Sequence, residues 1–303
     1  MLTVHNFSYG LLTPVLAYLM SFLGSFLGLR CTSRSQVATG ATRIRWLLVG
    51  ALAIGITGIW VMHFIAILGF SIPGETIRFS IPITIASMLA AVVFVALGLL
   101  IAGFGGDGYR PLLLAGLLTG LGVAAMHYSG MAAMRMPARM SYDPALFALS
   151  VVIAIVASTA ALWAALRLRG IRSTLGAALI MGVAISGMHY TGMAAMHVYP
   201  ANGVAMAMGG ASAEAFLLPL VIGVSIITFL LTATLALSPN EAEMSAEAEL
   251  MRRIESMRVP PAQLIASPGA ASRTARYHAR PAAPLAGSSD PPGGSELPGG
   301  SDT

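Results

Sequence analysis

The sequence predicts an all-α, polytopic membrane protein with seven transmembrane helices, and its composition, its apolar runs and its arginine distribution all indicate this fold. Of the 303 residues, 56% are hydrophobic and only 10% are charged, whereas soluble proteins carry about 25% charged residues. Seven apolar runs reach the length of about 20 residues that a helix needs to cross a bilayer. The loops between these runs alternate between arginine-rich and arginine-poor. We therefore expect a multi-pass protein of the lipid bilayer.

The seven runs place a membrane domain at residues 1–237. The alternative is an even number of spanning helices, in which one run forms a buried half-helix. Gly24 and Gly28 in the first run, and Gly116 and Gly120 in the fourth, have the four-residue spacing that lets helices approach closely. The first run has no preceding Lys or Arg and no small-residue cleavage site, so we interpret it as a retained helix rather than a signal peptide. The predicted spans are Asn6–Leu29, Ile44–Leu68, Ile81–Ala102, Pro111–Met134, Pro144–Leu166, Thr174–Met196 and Phe216–Leu237.

The loop arginines predict the orientation of the helices. All 17 cationic residues are Arg, and the loops after the first, third and fifth spans hold most of the loop arginines, Arg30 and Arg34 among them. Because cytoplasmic loops carry the excess of positive charge, we expect the N-terminus outside and the C-terminus in the cytoplasm. The net charge of +5 is thus a property of the loops. No basic-aromatic patch suggests nucleic-acid binding, and we expect no nucleic-acid partner.

The composition changes abruptly after Leu237. Residues 238–258 are rich in Ala, Glu and Arg, with Glu249 and Arg253 four positions apart, and they predict a short, solvated cytoplasmic helix. From residue 259 to residue 303, Pro, Gly, Ser and Ala dominate. Such a composition cannot build a core, so we expect a disordered low-complexity tail.

A tripeptide of methionine, histidine and an aromatic residue occurs three times, late in the second, fourth and sixth spans. An ionisable residue inside a membrane indicates a functional site by default. These three spans run in the same direction, and at 1.5 Å per residue their histidines lie at similar depth near the outer face. A simpler interpretation is that duplication preserved packed histidines and that methionine fills the core. The copies are Met62-His63-Phe64, Met126-His127-Tyr128 and Met188-His189-Tyr190.

Residues four positions apart share a helix face, so His127 is expected to face Met131, and His189 to face Met193 and then His197. Imidazole and thioether ligands together suit copper, and thioether favours Cu(I). Zinc would leave the methionines unexplained, and haem ligation by His and Met is a competing chemistry. The single Cys31 excludes a cysteine cluster and a c-type haem attachment.

These residues resemble the MHYT domain, a bacterial integral-membrane sensor module. The similarity covers about residues 5–237, with three internal repeats, and includes His5-Asn6 and the stretch Ile59–Phe64. It implies a seven-helix protein of the bacterial inner membrane with a copper site near the outer face that senses O2, CO or NO. The ligands that the resemblance implies are Met62, His63, Met126, His127, Met188 and His189, and His5 is a further candidate.

The sequence departs from the family pattern in two ways. The first copy has Ile67 where the others have Met131 and Met193, so it offers fewer sulfur ligands. Many members of the family also carry cytoplasmic domains that make or hydrolyse cyclic di-GMP, but no Gly-Gly-Asp-Glu-Phe or Glu-Ala-Leu signature occurs here. We therefore expect no enzymatic activity from this sequence and an output through a separate cytoplasmic protein.

Four functions remain in competition at this stage. The first is a copper-containing membrane sensor of a gas or of redox state. The second is a copper-handling or transport protein, although the inner halves of the second, fourth and sixth spans have no His and no acid to continue an ion path. The third is an enzyme, for which no nucleophile, paired carboxylate or phosphate loop stands out. The fourth is an assembly factor for a membrane oxidase or dehydrogenase.

Overall fold

The computed structural model describes residues 2–106, 108–200, 209–237 and 241–257. The fold is mostly helical, with five short strands. The helices are α1 (Leu12–Val37), α2 (Gly40–Leu52), a π-helical segment (Ala53–Val61), α3 (Met62–Leu68), α4 (Ile81–Phe104), α5 (Tyr109–Ala132), α6 (Pro144–Arg167), α7 (Ile171–Ala194), α8 (Ala213–Leu237) and α9 (Glu241–Met257). The strands are β1 (Arg78–Phe79), β2 (Met134–Arg135), β3 (Ala138–Tyr142), β4 (Met196–Pro200) and β5 (Ala211–Ser212).

Six helices of the described chain are long and apolar enough to cross a membrane: α1, the continuous helix Gly40–Leu68, α4, α5, α6 and α7. Their outward faces carry exposed aliphatic side chains such as Val156, Ile180 and Val183. Contiguous apolar surface of this kind is typical of contact with lipid. The seventh predicted span corresponds to α8, within which Ile222–Leu235 forms a shorter apolar helix. Six membrane-spanning helices are therefore supported, and the seventh stays a prediction.

Successive long helices are antiparallel, so the bundle has two distinct ends. We call one the histidine end, where α3, α5 and α7 finish. There the backbone amide of Ser8 donates to Gly69, and β1 pairs with both β2 and β5. We call the other the arginine end. There the Arg34 guanidinium donates to the Leu235 carbonyl over 2.7 Å. Around the bundle α1 packs on α2 and α7, and α5 packs on α4 and α6.

Glycines set the closest helix approaches, as their spacing predicts. A Cβ atom on Gly24 would collide with the backbone of Gly58. One on Gly120 would lie 2.7 Å from the backbone nitrogen of Ile155, and one on Gly116 would lie 2.8 Å from the Cα atom of Thr159 in α6. Both glycine pairs therefore serve as packing faces, α1 against the π-helical segment and α5 against α6.

The π-helical segment interrupts the helix that carries the first motif. Residues 53–61 form it directly before Met62, whereas α5 and α7 are α-helical up to and through their motifs. π-helical turns are uncommon and occur frequently at functional sites. The first copy of the motif therefore reaches its position by a different backbone path from the other two.

The prediction that the first span is Asn6–Leu29 is wrong at both ends. Residues 2–11 are not part of a helix; His5 instead forms an isolated bridge with Ser71. The helix continues to Val37 because polar side chains of its last turns have hydrogen-bond acceptors: Thr32 donates to the Leu29 carbonyl one turn earlier over 2.9 Å, and Arg34 donates to the Leu235 carbonyl of α8. Arg30 and Arg34 thus belong to α1 rather than to a loop.

The fourth and sixth spans also end earlier than expected. The helices α5 and α7 finish at Ala132 and Ala194, and the chain then becomes extended, so Met134 lies in β2 and Met196 in β4. Strand pairing supplies the hydrogen bonds that a further helical turn would have made: β1 pairs with β2, and β3 pairs with β4 along its whole length.

Contacts divide the chain into a unit at residues 1–249 and a second at residues 250–303. All elements described above except the end of α9 belong to the first unit. The helix predicted at residues 238–258 corresponds to α9, and its cytoplasmic position stays a prediction. The low-complexity tail predicted at residues 259–303 lies outside the described residues.

Candidate metal centre

The histidines of the three motifs meet in the interior of the bundle. Nδ1 of His63 lies 3.1 Å from Nδ1 of His127 and 3.1 Å from Nδ1 of His189. The three ring centroids are 4.9, 5.0 and 5.1 Å apart, which is close to an equilateral triangle. The rings are 0–1% exposed. His127 and His189, which follow His63 by 64 and 126 positions, thus direct their Nδ1 atoms with that of His63 toward one point.

Two glycines allow the rings to come this close. Gly130 of α5 contacts the Nε2 edge of the His63 ring, and Gly192 of α7 contacts the Nε2 edge of the His127 ring, because a Cβ atom at either glycine would overlap that nitrogen. Each glycine lies three residues after the histidine of its own helix. The first copy has Ala66 at this position. A histidine of one copy is therefore held by the glycine of the next copy.

The third residue of each motif packs against its own histidine. Phe64 lies edge-on to His63, Tyr128 to His127 and Tyr190 to His189, with centroids 5.0, 4.8 and 5.0 Å apart. Such edge-to-face pairs are favoured by the aromatic quadrupole. The aromatic ring in the motif thus fixes the plane of the imidazole beside it.

The outward nitrogens of the cluster face carbon rather than polar atoms. All three Nε2 atoms are buried and have no hydrogen-bond partner among the described residues. The inward Nδ1 atoms meet only one another, and a neutral imidazole carries one proton to place on either nitrogen. Three Nδ1 lone pairs directed at one point are best satisfied by a cation there. The arrangement therefore fits a metal ion bound through three Nδ1 atoms.

The donor set is neutral. Among the described His, Cys, Asp and Glu residues, these three histidines form the group whose ligand atoms lie within 4.8 Å of one another. An ion held by neutral ligands keeps its full charge in a buried site, and the cost of burying charge is high. A singly charged ion is therefore a better match for this site than a doubly charged one.

The methionines named by the sequence are all buried, at 0–4% exposure. Met188 lines an apolar cavity that lies next to the cluster. Sulfur ligation by any of them stays a prediction. The methionines that the sequence predicts as ligands are Met62, Met126, Met131, Met188 and Met193.

The other two predicted ligands lie outside the cluster. The helical stripe from His189 through Met193 to His197 is wrong, because α7 ends at Ala194 and His197 lies in β4, opposite Ser141. His5 is exposed in the segment before α1.

The site is surrounded at the histidine end by further aromatic side chains. Tyr142 of β3 lies edge-on to Tyr128, with centroids 5.4 Å apart, and the Tyr128 hydroxyl pairs with that of Ser150 over 2.6 Å. Burial raises the pKa of the Tyr142 phenol above its ordinary value, and the neighbouring Tyr128 adds to this shift.

Reasoning from the sequence missed the two glycines and the π-helical segment. The glycines carried a signal: both near-identical stretches contain Met-His-Tyr, then Ser or Thr, then Gly and Met, so Gly130 and Gly192 recur at a fixed distance from a histidine. The π-helical segment contains Gly55 and Gly58, but glycine alone does not distinguish it from an α-helix.

Comparison with known proteins places these features in a family. Residues 57–116, 120–178 and 182–244 each match the MHYT repeat, described as a bacterial signalling protein N-terminal repeat. The chain is 39% identical over 253 residues to the bifunctional diguanylate cyclase/cyclic di-GMP phosphodiesterase MucR of Pseudomonas aeruginosa, covering 81% of this chain. It is 42% identical over 199 residues to the cyclic di-GMP phosphodiesterase NbdA of the same organism, covering 64% of this chain.

A more distant relative is the signaling protein YkoW of Bacillus subtilis, 30% identical over 198 residues and 59% of this chain. The matched regions are 36%, 25% and 23% of the lengths of MucR, NbdA and YkoW, so the activities in the printed names belong to much longer proteins. No solved structure matches the chain. Three consecutive repeats, each containing one histidine of the central cluster near its beginning, show that this multi-pass membrane protein belongs to the MHYT family of bacterial signalling proteins.

Proposed function

We propose that the protein is a sensor of the bacterial inner membrane that holds copper in its three-histidine centre and responds to a diatomic gas or to redox state. The observation that carries the proposal is the convergence of three buried histidines, with Nδ1 of His63 3.1 Å from Nδ1 of His127 and of His189, and with no acidic residue in the group. Its seven helices would have the N-terminus outside and the C-terminus in the cytoplasm, which places the centre near the outer face.

The ligand chemistry supports copper in its singly charged state. Imidazole ligands suit zinc, copper, iron and nickel, and nearby thioethers favour Cu(I). A neutral ligand set in a buried site favours low ionic charge, which Zn²⁺ and Fe²⁺ do not have. His63 would bind the ion together with His127 and His189, because its Nδ1 lies 3.1 Å from the Nδ1 atom of each.

When bound, copper would supply the affinity for O2, CO or NO that protein side chains lack. The protein's own part is to orient three imidazoles and to exclude water from them. Gly130 and Gly192 determine how far the rings of His63 and His127 can withdraw from the centre. A change in the preferred spacing of the three nitrogens would therefore act directly on the packing of α3, α5 and α7.

These helices connect the centre to the arginine end of the bundle. The helix α7 runs without interruption from Ile171 to Ala194, and α5 from Tyr109 to Ala132. A ligand shifts a conformational equilibrium only when it binds the two states differently. Movement of α5 against α7 at the centre would be available at their opposite ends to a separate output protein in the cytoplasm.

Metal analysis of the purified protein tests the proposal. We expect about one equivalent of copper in the wild type and loss of it in His63→Ala, His127→Ala and His189→Ala. His197→Ala is the matched control, because it removes a histidine outside the cluster. Equal copper in all five proteins would refute the shared site.

Gas binding is tested separately on the copper-loaded protein. Addition of CO or NO should shift its absorption or X-ray absorption spectrum. An unchanged spectrum at saturating gas would refute gas sensing and leave the copper site standing. A periplasm-dependent reporter fused after Leu237 should stay inactive if the orientation is as proposed.

A further inference from the structure

A narrow apolar cavity of about 50 Å³ lies in the bundle next to the three-histidine centre. Thr119 and Ser158 are the polar side chains among its lining, and the rest of the lining is aliphatic or methionine. Genuinely apolar cavities in proteins stay dry and take up small apolar molecules such as xenon. The cavity is therefore suited to an uncharged guest rather than to water.

The cavity begins one helical turn from the centre. Ile59, Val123 and Ile185 all line it, and each lies four residues before the histidine of its own motif. Four residues correspond to about 6 Å along an α-helix. Met188, the neighbour of His189, lines it as well. All three motif-bearing helices thus contribute to the end of the cavity that lies nearest the histidines.

Small side chains on α6 create the space. Ala154, Ala157, Ser158, Ala161 and Ala165 line the cavity along one face of this helix. From Ala154 to Ala165 the helix rises by about 16 Å, so the lining on α6 is long for a cavity of about 50 Å³. Ala157 and Ala161 of α6 and Ala184 of α7 are partly exposed, unlike the fully buried Ala154 and Ala165. The lining therefore reaches the surface between α6 and α7, within the apolar part of both helices.

We infer that this cavity is the passage through which a small uncharged molecule, of the size of a diatomic gas, passes from the bilayer to the three-histidine centre. The size of the cavity excludes larger guests, and its lining excludes ions. An apolar gas prefers hydrocarbon to water, so it is available on the lipid side where α6 and α7 leave the lining partly exposed. The strands and the segment before α1 cover the histidine end of the bundle. Entry between α6 and α7 would not require these elements to move.

The inference extends the proposed gas sensor, and its first test requires no metal. Xenon is a neutral probe of about the right size. In metal-free protein with methyl-labelled isoleucine, xenon pressure should shift the signals of Ile59 and Ile185 with saturation. Ile171 of α7 is 59% exposed, so its signal should change only weakly and linearly.

A matched pair of substitutions on α6 sharpens the test. Ala161→Leu places an isopropyl group in the cavity and should abolish the saturable xenon shifts of Ile59 and Ile185. Ala160→Leu adds the same group at the next residue, which is exposed on the outer face of α6, and should leave them intact. Cavity methyl groups that respond no more than Ile171, or a response that survives in Ala161→Leu, would overturn the inference.

The second test uses copper-loaded protein and measures the rate at which CO associates after mixing. Ala161→Leu should slow association several-fold while copper content and the final spectrum stay as in the wild type. Equal rates in Ala160→Leu and Ala161→Leu would overturn the passage. If copper does not bind at all, the proposed function fails, and the xenon shifts still decide whether the cavity admits an apolar guest.

Discussion

The glycine that backs the His127 ring offers the sharpest test of how the centre is built. In Gly192→Ala the new Cβ atom would overlap Nε2 of His127 and would lie 2.9 Å from Cδ2 and 3.2 Å from Cε1 of the same ring. Non-bonded heavy atoms are most favourably separated by about 3.5–4.0 Å. The ring would have to move by about 1 Å. It cannot move along its own axis, because Nδ1 of His63 is already 3.1 Å from its Nδ1.

The expected effect on stability is small, and the effect on metal binding is large. Overpacking a core costs about 1–3 kcal/mol, and replacing a helical glycine by alanine returns about 1 kcal/mol. The free energy of unfolding should therefore fall by about 0–2 kcal/mol. Displacement of a ligand by changes in the groups that orient it typically weakens metal binding about 10–100-fold, and we expect a loss of copper affinity in this range.

Two measurements separate these effects. Competition titration with a copper chelator gives the affinity, and ¹⁵N spectra of the histidine side chains report the His127 ring with or without metal. Gly187→Ala is the control on the same helix, since nothing lies within 4 Å of a Cβ atom there. It should gain up to about 1 kcal/mol of stability with unchanged affinity. Wild-type affinity together with an unshifted His127 signal in Gly192→Ala would refute the packing described here.

Three further predictions concern residues around the centre. His5→Ala and His197→Ala should leave bound copper unchanged in elemental analysis, and loss of metal in either would return that residue to the ligand set. Because the pKa of the Tyr142 phenol is raised in the folded protein, its stabilising contribution is present below about pH 10 and is lost as pH rises through the raised value. Tyr142→Phe should therefore reduce the alkaline fall in unfolding free energy, and an equal fall in both proteins would contradict this. Asp143 caps α6 by accepting two backbone amides at 2.9 Å; Asp143→Ala should cost about 1 kcal/mol in thermal unfolding and Asp143→Asn much less.

The positions of the long helices follow from local properties of the sequence and are therefore predictable from it. The apolar runs predict the long helices, because a backbone segment inside the lipid bilayer must satisfy its own hydrogen bonds and does so as a helix. The end of α1 is not predictable from local pattern, because Arg34 carries the charge typical of a loop residue. It is held within the bundle by Leu235, a partner 201 positions away that no local pattern reveals. The strands after Ala132 and Ala194 were missed for the same reason, since their partners come from other loops.

The depth of the three histidines was predictable, because a helix rises by a fixed distance per residue. Their meeting was not, because depth does not determine which helices adjoin. The same limit explains His197: counting by fours from His189 assumes that the helix continues, and α7 ends first at Ala194. The role of Gly192 required knowing that a ring from α5 faces it.

The way in which His63 rests on Gly130 and His127 on Gly192 also bears on how the protein is made. Neither ring is enclosed by its own copy of the motif; each is completed by a helix that is synthesised later. A nascent chain with α3 and α5 inserted has a loosely held His127 and lacks His189 altogether. The three-histidine cluster can therefore form only after α7 has entered the membrane. Any ion that it holds would have to bind after insertion of the third repeat, and a chain shortened before α7 would lack the cluster.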